Sequence, residues 1–167
     1  MEKLLEVHIA KISESGLRIC GRTEEDILGL PHDGRLLEVS PAQVDLVVTK
    51  LGDDVIARGE AGVRLKCQCD RCLTEFTQDI FAEDIVAVVD KAPDVLDLTE
   101  WVREDILINF PRLYLCAPGC KGLCLTCGRN LNEGACDCHS PIQSGPLAAA
   151  LEGLKIAEPK KRSKKKN

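Results

Sequence analysis

Aromatic side chains are nearly missing from this chain, which has one Trp, one Tyr and three Phe among 167 residues. Proteins that hold single-stranded nucleic acid stack bases on aromatic platforms, and five scattered rings do not build one. Long apolar runs are missing too. Met1 to Ile12 alternates charged and apolar residues instead of forming the unbroken core of a signal peptide, and no later stretch has the length to cross a bilayer. These features predict a cytoplasmic protein without a membrane partner. Catalytic patterns are also lacking. Serine, histidine and carboxylate side chains are scattered, no glycine-rich phosphate loop follows a strand, and there is no internal repeat. The chain is therefore expected not to be an enzyme and to take no small-molecule substrate.

Cysteine is what the chain has in excess. Ten cysteines in a reducing compartment point to metal or redox chemistry rather than a disulfide framework. Six of them lie between Cys116 and Cys138, in the run C-A-P-G-C-K-G-L-C-L-T-C-G-R-N-L-N-E-G-A-C-D-C. They form the close pairs Cys116/Cys120, Cys124/Cys127 and Cys136/Cys138. Zinc takes four soft ligands at about 2.3 Å in a tetrahedron, and cysteines separated by one to three residues can face one ion across a tight turn.

Leu123-Cys124-Leu125-Thr126-Cys127-Gly128 reads as a zinc knuckle, with Gly128 free to adopt the positive φ that folds amides back toward sulfur. Beyond a turn marked by Asn130, Asn132 and Gly134, Cys136 and Cys138 complete a local site with Cys124 and Cys127. The pairs left over, Cys69/Cys72 and Cys116/Cys120, make a second site that joins distant parts of the chain. Two zinc ions are expected, one local and one stapling a β-hairpin to the segment that leaves a helix. Cys20 and Cys67 remain outside both sets, and His139 is a spare ligand beside Cys138. Four thiolates also suit an iron–sulfur centre, so the metal stays open. The Cys120-x3-Cys124-x2-Cys127 spacing matches that of radical S-adenosylmethionine enzymes, but they need a large α/β barrel that this length and strand pattern do not supply. A thioredoxin-like role lacks its βαβ context.

Hydrophobic periodicity predicts an α+β fold, mainly an antiparallel β-sheet or meander, with one or two short helices and a C-terminal Cys-rich zinc-knuckle lobe. Period-two alternation marks strands at Leu4–Ile12, Gly16–Arg22 and Val44–Leu51, then a long strand at Asp54–Cys67 after a II′-type Gly52-Asp53 turn. This phase points Cys67 into the core and leaves Cys20 beside Arg18 and Arg22. A third long strand starts at Thr74 and runs through Phe76, Ile80 and Phe81, which puts Cys69 and Cys72 at a hairpin tip, and Ile85–Val89 is a further piece that extends the sheet. Thr23–Ser40, broken by Gly29, Pro31 and Gly34, reads as a loop containing His32. Asp97-Leu98-Thr99-Glu100 has the form of a capping box with Asp97 as N-cap. It opens a helix over Leu98–Asn109 that buries Leu98, Trp101, Val102 and Ile106 and ends before Pro111. A second short helix is predicted over Pro146–Ile156. The expected organisation is a β-rich body with one helix over 1–115, a Cys-rich zinc-binding lobe over 116–154, and a disordered basic tail over 155–167.

The net charge of −5 hides a division. Residues 155–167 hold seven Lys or Arg against one Glu, a charge of +6, which leaves −11 for the remainder. An acidic body repels nucleic acid at long range and suits a basic protein partner. Lys160, Lys161, Arg162, Lys164, Lys165 and Lys166 are the candidates to hold phosphates, with solubility as the plainer role of such a run.

Two motifs together resemble a known family. C-x-C-x-R-C-L-x-x-F at Cys67–Phe76 and C-K-G-L-C-x-x-C-G-x-N-L-N-x-x-x-C-x-C at Cys120–Cys138 are similar to sequences of the bacterial YceD family, the large ribosomal RNA subunit accumulation proteins. The resemblance also takes in the helix ending in Phe110-Pro111 and the segment Leu151–Leu154. It implies a non-enzymatic role in 23S rRNA accumulation and large-subunit (50S) ribosome assembly. The expected partners are a large-subunit rRNA precursor, a basic large-subunit ribosomal protein, or both. A zinc-dependent or iron–sulfur regulatory or docking module unrelated to ribosomes is the alternative.

Overall fold

A computed structural model describes residues 3–24, 26–31 and 34–138. Among the described residues seven strands and one α-helix follow in order: β1 (Glu6–His8), β2 (Leu17–Arg22), β3 (Leu36–Val39), β4 (Gln43–Leu51), β5 (Asp54–Gln68), β6 (Glu75–Val89), β7 (Val95–Asp97) and α1 (Thr99–Ile108). The fold is mostly antiparallel sheet with one α-helix and a cysteine-rich C-terminal region. His32, His139, the predicted helix Pro146–Ile156 and the basic tail lie outside the described residues. No helix among the described residues is long and apolar enough to cross a membrane.

The sheet is built around β5. One edge of β5 pairs with β6 along nearly its whole length, while the other edge is shared, β4 taking its first half and β3 its second. β2 adds outside β4. The β4–β5 turn is the expected two-residue Gly52-Asp53 connection, with Gly52 at φ +66°. Residues of one phase (Val44, Leu46, Val48, Val55, Ala57, Val63, Leu65 and Cys67) face inward and are buried. Leu5, Val7, Leu28, Leu96, Leu98, Val102 and Ile106 complete the same core.

Four details differ from the sequence reading. The first strand is cut to Glu6–His8, because the chain turns through a 3-10 segment at Ile9–Lys11 as Ile9 N–H bonds Asp94 O at 2.9 Å. The Thr23–Ser40 stretch contains a strand, β3, which is only four residues long and carries a bulge, too short to show an alternating pattern. β6 is continuous, and between Ala82 and Ile85 the pair Glu83-Asp84 opposes Glu60 alone. That extra residue is a β-bulge, and it reverses the inward phase from Ile80 and Ala82 to Ile85 and Ala87. This is why the apolar pattern of β6 reads as two pieces. At α1, Leu98 occupies the N-cap position, and Asp97 Oδ1 accepts Thr99 N–H at 2.9 Å from one residue earlier. Glu100 lies 3.7 Å from Arg103 Nη1.

Candidate metal centres

The hairpin joining β5 to β6 ends in Cys69-Asp70-Arg71-Cys72-Leu73. Cys69 N–H bonds Thr74 O at 2.9 Å and Leu73 N–H bonds Cys69 O at 3.0 Å, with Leu73 in the left-handed region at φ +59°. The later knuckle repeats this geometry. Cys124 N–H bonds Arg129 O at 2.8 Å, Gly128 N–H bonds Cys124 O at 2.9 Å, and Gly128 sits at φ +74°. Two C-x-x-C turns of one construction therefore aim their paired sulfurs from a closed backbone loop. Leucine at the left-handed position costs about 1–2 kcal/mol. Leu73→Gly is therefore expected to raise stability slightly or leave it unchanged, as a thermal melt of the metal-loaded protein would show.

After α1 the chain returns to the first hairpin tip. Asp70 N–H bonds Tyr114 O at 2.8 Å, and Asp70 Oδ2 accepts Tyr114 N–H at 2.8 Å. Arg71 Nη1 bonds Cys120 O at 2.9 Å, and Leu123 N–H bonds Arg71 O at 3.1 Å. Gly122, at φ +78°, passes so close that a Cβ there would sit 3.0 Å from Arg71 O. These contacts bring Cys116 and Cys120 to Cys69 and Cys72. The Cys69 and Cys120 sulfurs are 3.8 Å apart and the Cys72 and Cys116 sulfurs 3.6 Å apart, and all four lie within 4.8 Å of one another. A disulfide would need sulfurs near 2.05 Å. A single ion about 2.3 Å from each of four sulfurs sets edges of about 3.8 Å, which is the spacing seen. Cys124, Cys127, Cys136 and Cys138 form the second cluster within the same 4.8 Å limit. The first cluster is buried apart from Cys116, whereas the second is half-buried to exposed.

The electrostatics of each cluster favour a cation. Burial raises the Cys69 thiol, but N–H groups of Cys116, Cys72 and Arg71 outweigh it and bring the pKa down to about 6. Thr74 lowers Cys72, while Cys72 in turn pushes Cys116 up to about 12. In the second cluster, the N–H groups of Cys127 and Thr126 bring Cys124 down to about 6, and Cys127 pushes Cys138 up to about 12. Adjacent thiols resist ionising together. A divalent cation among them removes that conflict, since metal-bound thiols are deprotonated.

Sequence reading missed the residues that support the sulfurs. Asn132 Nδ2 donates to Cys120 Sγ at 3.3 Å, and Asn132 Oδ1 accepts Lys121 N–H at 2.8 Å. Asn130 Oδ1 accepts from Asn132 Nδ2 at 2.8 Å, and Asn130 Nδ2 lies 3.4 Å from Thr74 Oγ1 on the hairpin. The Asn-Leu-Asn run, legible in sequence only as a turn, thus links the second cluster's loop to the first cluster. Asn132→Ala is expected to weaken metal retention at the first cluster about 10–100-fold, the usual effect of losing an outer partner, as competition with a graded chelator would measure. Cys20 is exposed on β2 in phase with Arg18 and Arg22, as the alternation predicts, but Arg18 is engaged by Asp45 at 2.8 Å and Arg22 by Gln43 at 3.2 Å. Cys67 is fully buried in the main core.

An antiparallel β body whose C-terminal region is gathered around two four-cysteine clusters defines a class: a small β protein with thiol-organised knuckles. Residues 82–155 match the model of a family described as "Large ribosomal RNA subunit accumulation protein YceD". Through that segment the chain is similar to the YceD family. The match covers somewhat less than half of the chain and begins after Cys69 and Cys72, so the shared region is narrower than the motif resemblance implies. The chain is 37% identical over 66 residues to "Large ribosomal RNA subunit accumulation protein YCED homolog 1, chloroplastic" of Arabidopsis thaliana, covering 38% of this chain and 21% of that protein. A protein of the same name from Zea mays is 37% identical over 68 residues, covering 40% of this chain and 23% of its own length. The similarity thus spans less than a quarter of each relative. No solved structure matches the chain.

Proposed function

We propose that the chain is a non-enzymatic, zinc-binding factor that supports the accumulation of large-subunit ribosomal RNA, acting in assembly of the large subunit in a compartment that makes ribosomes. The match of residues 82–155 to the YceD family model and the names of both plant relatives support the ribosomal role. The zinc reading rests on one observation above all: four sulfurs from segments 44 to 51 residues apart in sequence are gathered within 4.8 Å. In the first cluster, sulfur spacings of 3.6 and 3.8 Å suit one ion better than a multi-iron core, whose cysteines bind different metal atoms and stand farther apart.

Zinc held by four thiolates keeps no open position for substrate or water, so its contribution is structural. The division of labour is a β body over 1–115, a zinc-held lobe over 116–154 and a basic tail over 155–167. Cys69, Cys72, Cys116 and Cys120 fix the lobe to the body, Asn130 and Asn132 fix one cluster to the other, and the acidic body receives a basic ribosomal protein. Lys160, Lys161, Arg162, Lys164, Lys165 and Lys166 hold rRNA phosphates. If the tail neutralises about five phosphates, the log–log slope of affinity against salt is near roughly −3.5 on single strands. Deleting residues 155–167 is expected to flatten that slope, and an unchanged slope would remove the tail from RNA binding. Sedimentation of the protein with large-subunit precursors on a sucrose gradient, with loss of large-subunit rRNA on depletion, tests the role itself. A protein that stays at the top of the gradient and whose depletion leaves rRNA unchanged contradicts it.

A further inference from the structure

Among the described residues the free edge of β6 has no partner strand. Among the described residues β6 is hydrogen-bonded to β5 alone, so along Glu75–Val89 alternate backbone N–H and C=O groups face outward unpaired. Such an edge is a template for another strand. Proteins usually protect edges by keeping them short, by bulges or by charged side chains, and on β6 the bulge lies beyond Ala82, which leaves Glu75–Ala82 regular. β6 is fifteen residues long, and every charged residue on it is acidic: Glu75, Asp79, Glu83 and Asp84.

The same sign extends over the neighbouring surface. Residues 75–109 contain ten Asp or Glu and two Lys or Arg, a net −8, which is most of the −11 carried outside the tail. Glu75 and Asp79 are taken up by Lys66 (2.9 Å) and Arg64 (2.7 Å) of β5. Among the described residues the bulge pair Glu83-Asp84 has no such cation. With Asp105 and Asn109 at the end of α1 and with Phe81 and Ala82, it lines an open cleft of about 380 Å³. A helix C-terminus adds partial negative charge to that side. Phe81 is 62% exposed and lies over Gly62, where an added Cβ would come within 2.6 Å of the ring. The edge thus offers a backbone ladder, an aromatic shelf and unneutralised carboxylates side by side.

We propose that the β6 edge is a docking surface for an extended, Lys/Arg-rich protein segment that adds as a strand beside Glu75–Ala82 and places a cationic side chain in the Phe81–Glu83–Asp84 cleft. Strand addition draws its affinity from the main chain and its selectivity from side-chain pockets, and here the pockets select for positive charge. A second copy of β6 is disfavoured, because antiparallel pairing would bring rows of carboxylates together. This rests on the reading of the chain as an adaptor for a basic partner and assigns that partner a place.

The test uses the full-length, zinc-loaded protein and a synthetic twelve-residue peptide alternating Lys or Arg with Val or Thr. Backbone hydrogen exchange is followed across Glu75–Ala82. The expected result is slowed exchange there on adding the peptide. Affinity should fall about tenfold in Glu83→Lys/Asp84→Lys, which reverses two steering charges, and be lost when alternate peptide nitrogens are N-methylated. Unchanged affinity after N-methylation would mean charge attraction without a strand and would overturn the proposal. So would slowed exchange mapping elsewhere, or an edge already protected in the free protein by residues 139–167 or a second copy. Failure of sedimentation with ribosomal precursors would instead remove the ribosomal role and leave the peptide result standing.

Discussion

Changing Cys69 and Cys72 together to serine is expected to lower the bound zinc from two ions per chain to one and to release residues 114–123 from the β body, while the sheet stays folded. The expectation follows from where the apolar burial is. The main core gathers side chains from all seven strands and α1 into one cluster. The region around the first four-cysteine cluster has a separate, far smaller core: its buried members are Cys69, Cys72 and Cys120, with Phe76, Leu115 and Leu123 packed around them. Three small thiols and three partly buried apolar side chains make a small core, so on the zinc reading coordination adds more to the attachment than this packing and the hairpin's few hydrogen bonds do. Apparent binding free energies for structural zinc of roughly 10–16 kcal/mol match or exceed the stability of a typical domain. Hydrogen exchange should rise through Tyr114–Leu123 and stay low in β4 and β5. The companion change, Cys124→Ser with Cys127→Ser, should remove the other ion and leave the first in place. Both ions lost from either variant would mean that the clusters are not separable.

The opposite dissection comes from Gly59. This residue lies at φ +155° opposite Leu46 in the β4–β5 pairing, and a Cβ there would overlap Asp45 O and lie 2.8 Å from Leu46 Cα. Backbone cannot step aside as a flexible side chain can, so Gly59→Ala must push two central strands apart just before the Glu83-Asp84 bulge. The expected loss is about 3 kcal/mol, or roughly 10 °C in Tm for a domain of this size. The local cluster, Cys124 to Cys138, takes all its ligands from one short loop and should keep its ion. A melt unchanged within a degree or two would show that β4 and β5 do not approach as closely as this.

Much of the fold could be read from the chain because burial follows simple alternation there. In β4 and β5 every second residue enters the core, and the Gly52-Asp53 turn fixes their register. The cysteine pairs were legible for a similar reason, since their separations are those a tight turn permits. What escaped depends on contacts distant in sequence. β3 and β7 are short strands that exist because β5 and β1 offer them an edge. The bulge at Glu83-Asp84 broke the pattern of β6 into two apparent pieces. Leu73 takes the left-handed role that glycine plays at Gly128, so the likeness of the two knuckles shows only in their hydrogen bonds. Asn130 and Asn132 look like turn residues until Cys120, Lys121 and Thr74 are seen beside them.

Native mass spectrometry of the full-length protein, purified without chelator and paired with elemental analysis, tests the central claim most directly. Two zinc ions per chain, both lost on unfolding in acid, is the result that the paired four-thiol clusters predict. A chain carrying no metal, or a coloured iron–sulfur cluster in place of zinc, would contradict it.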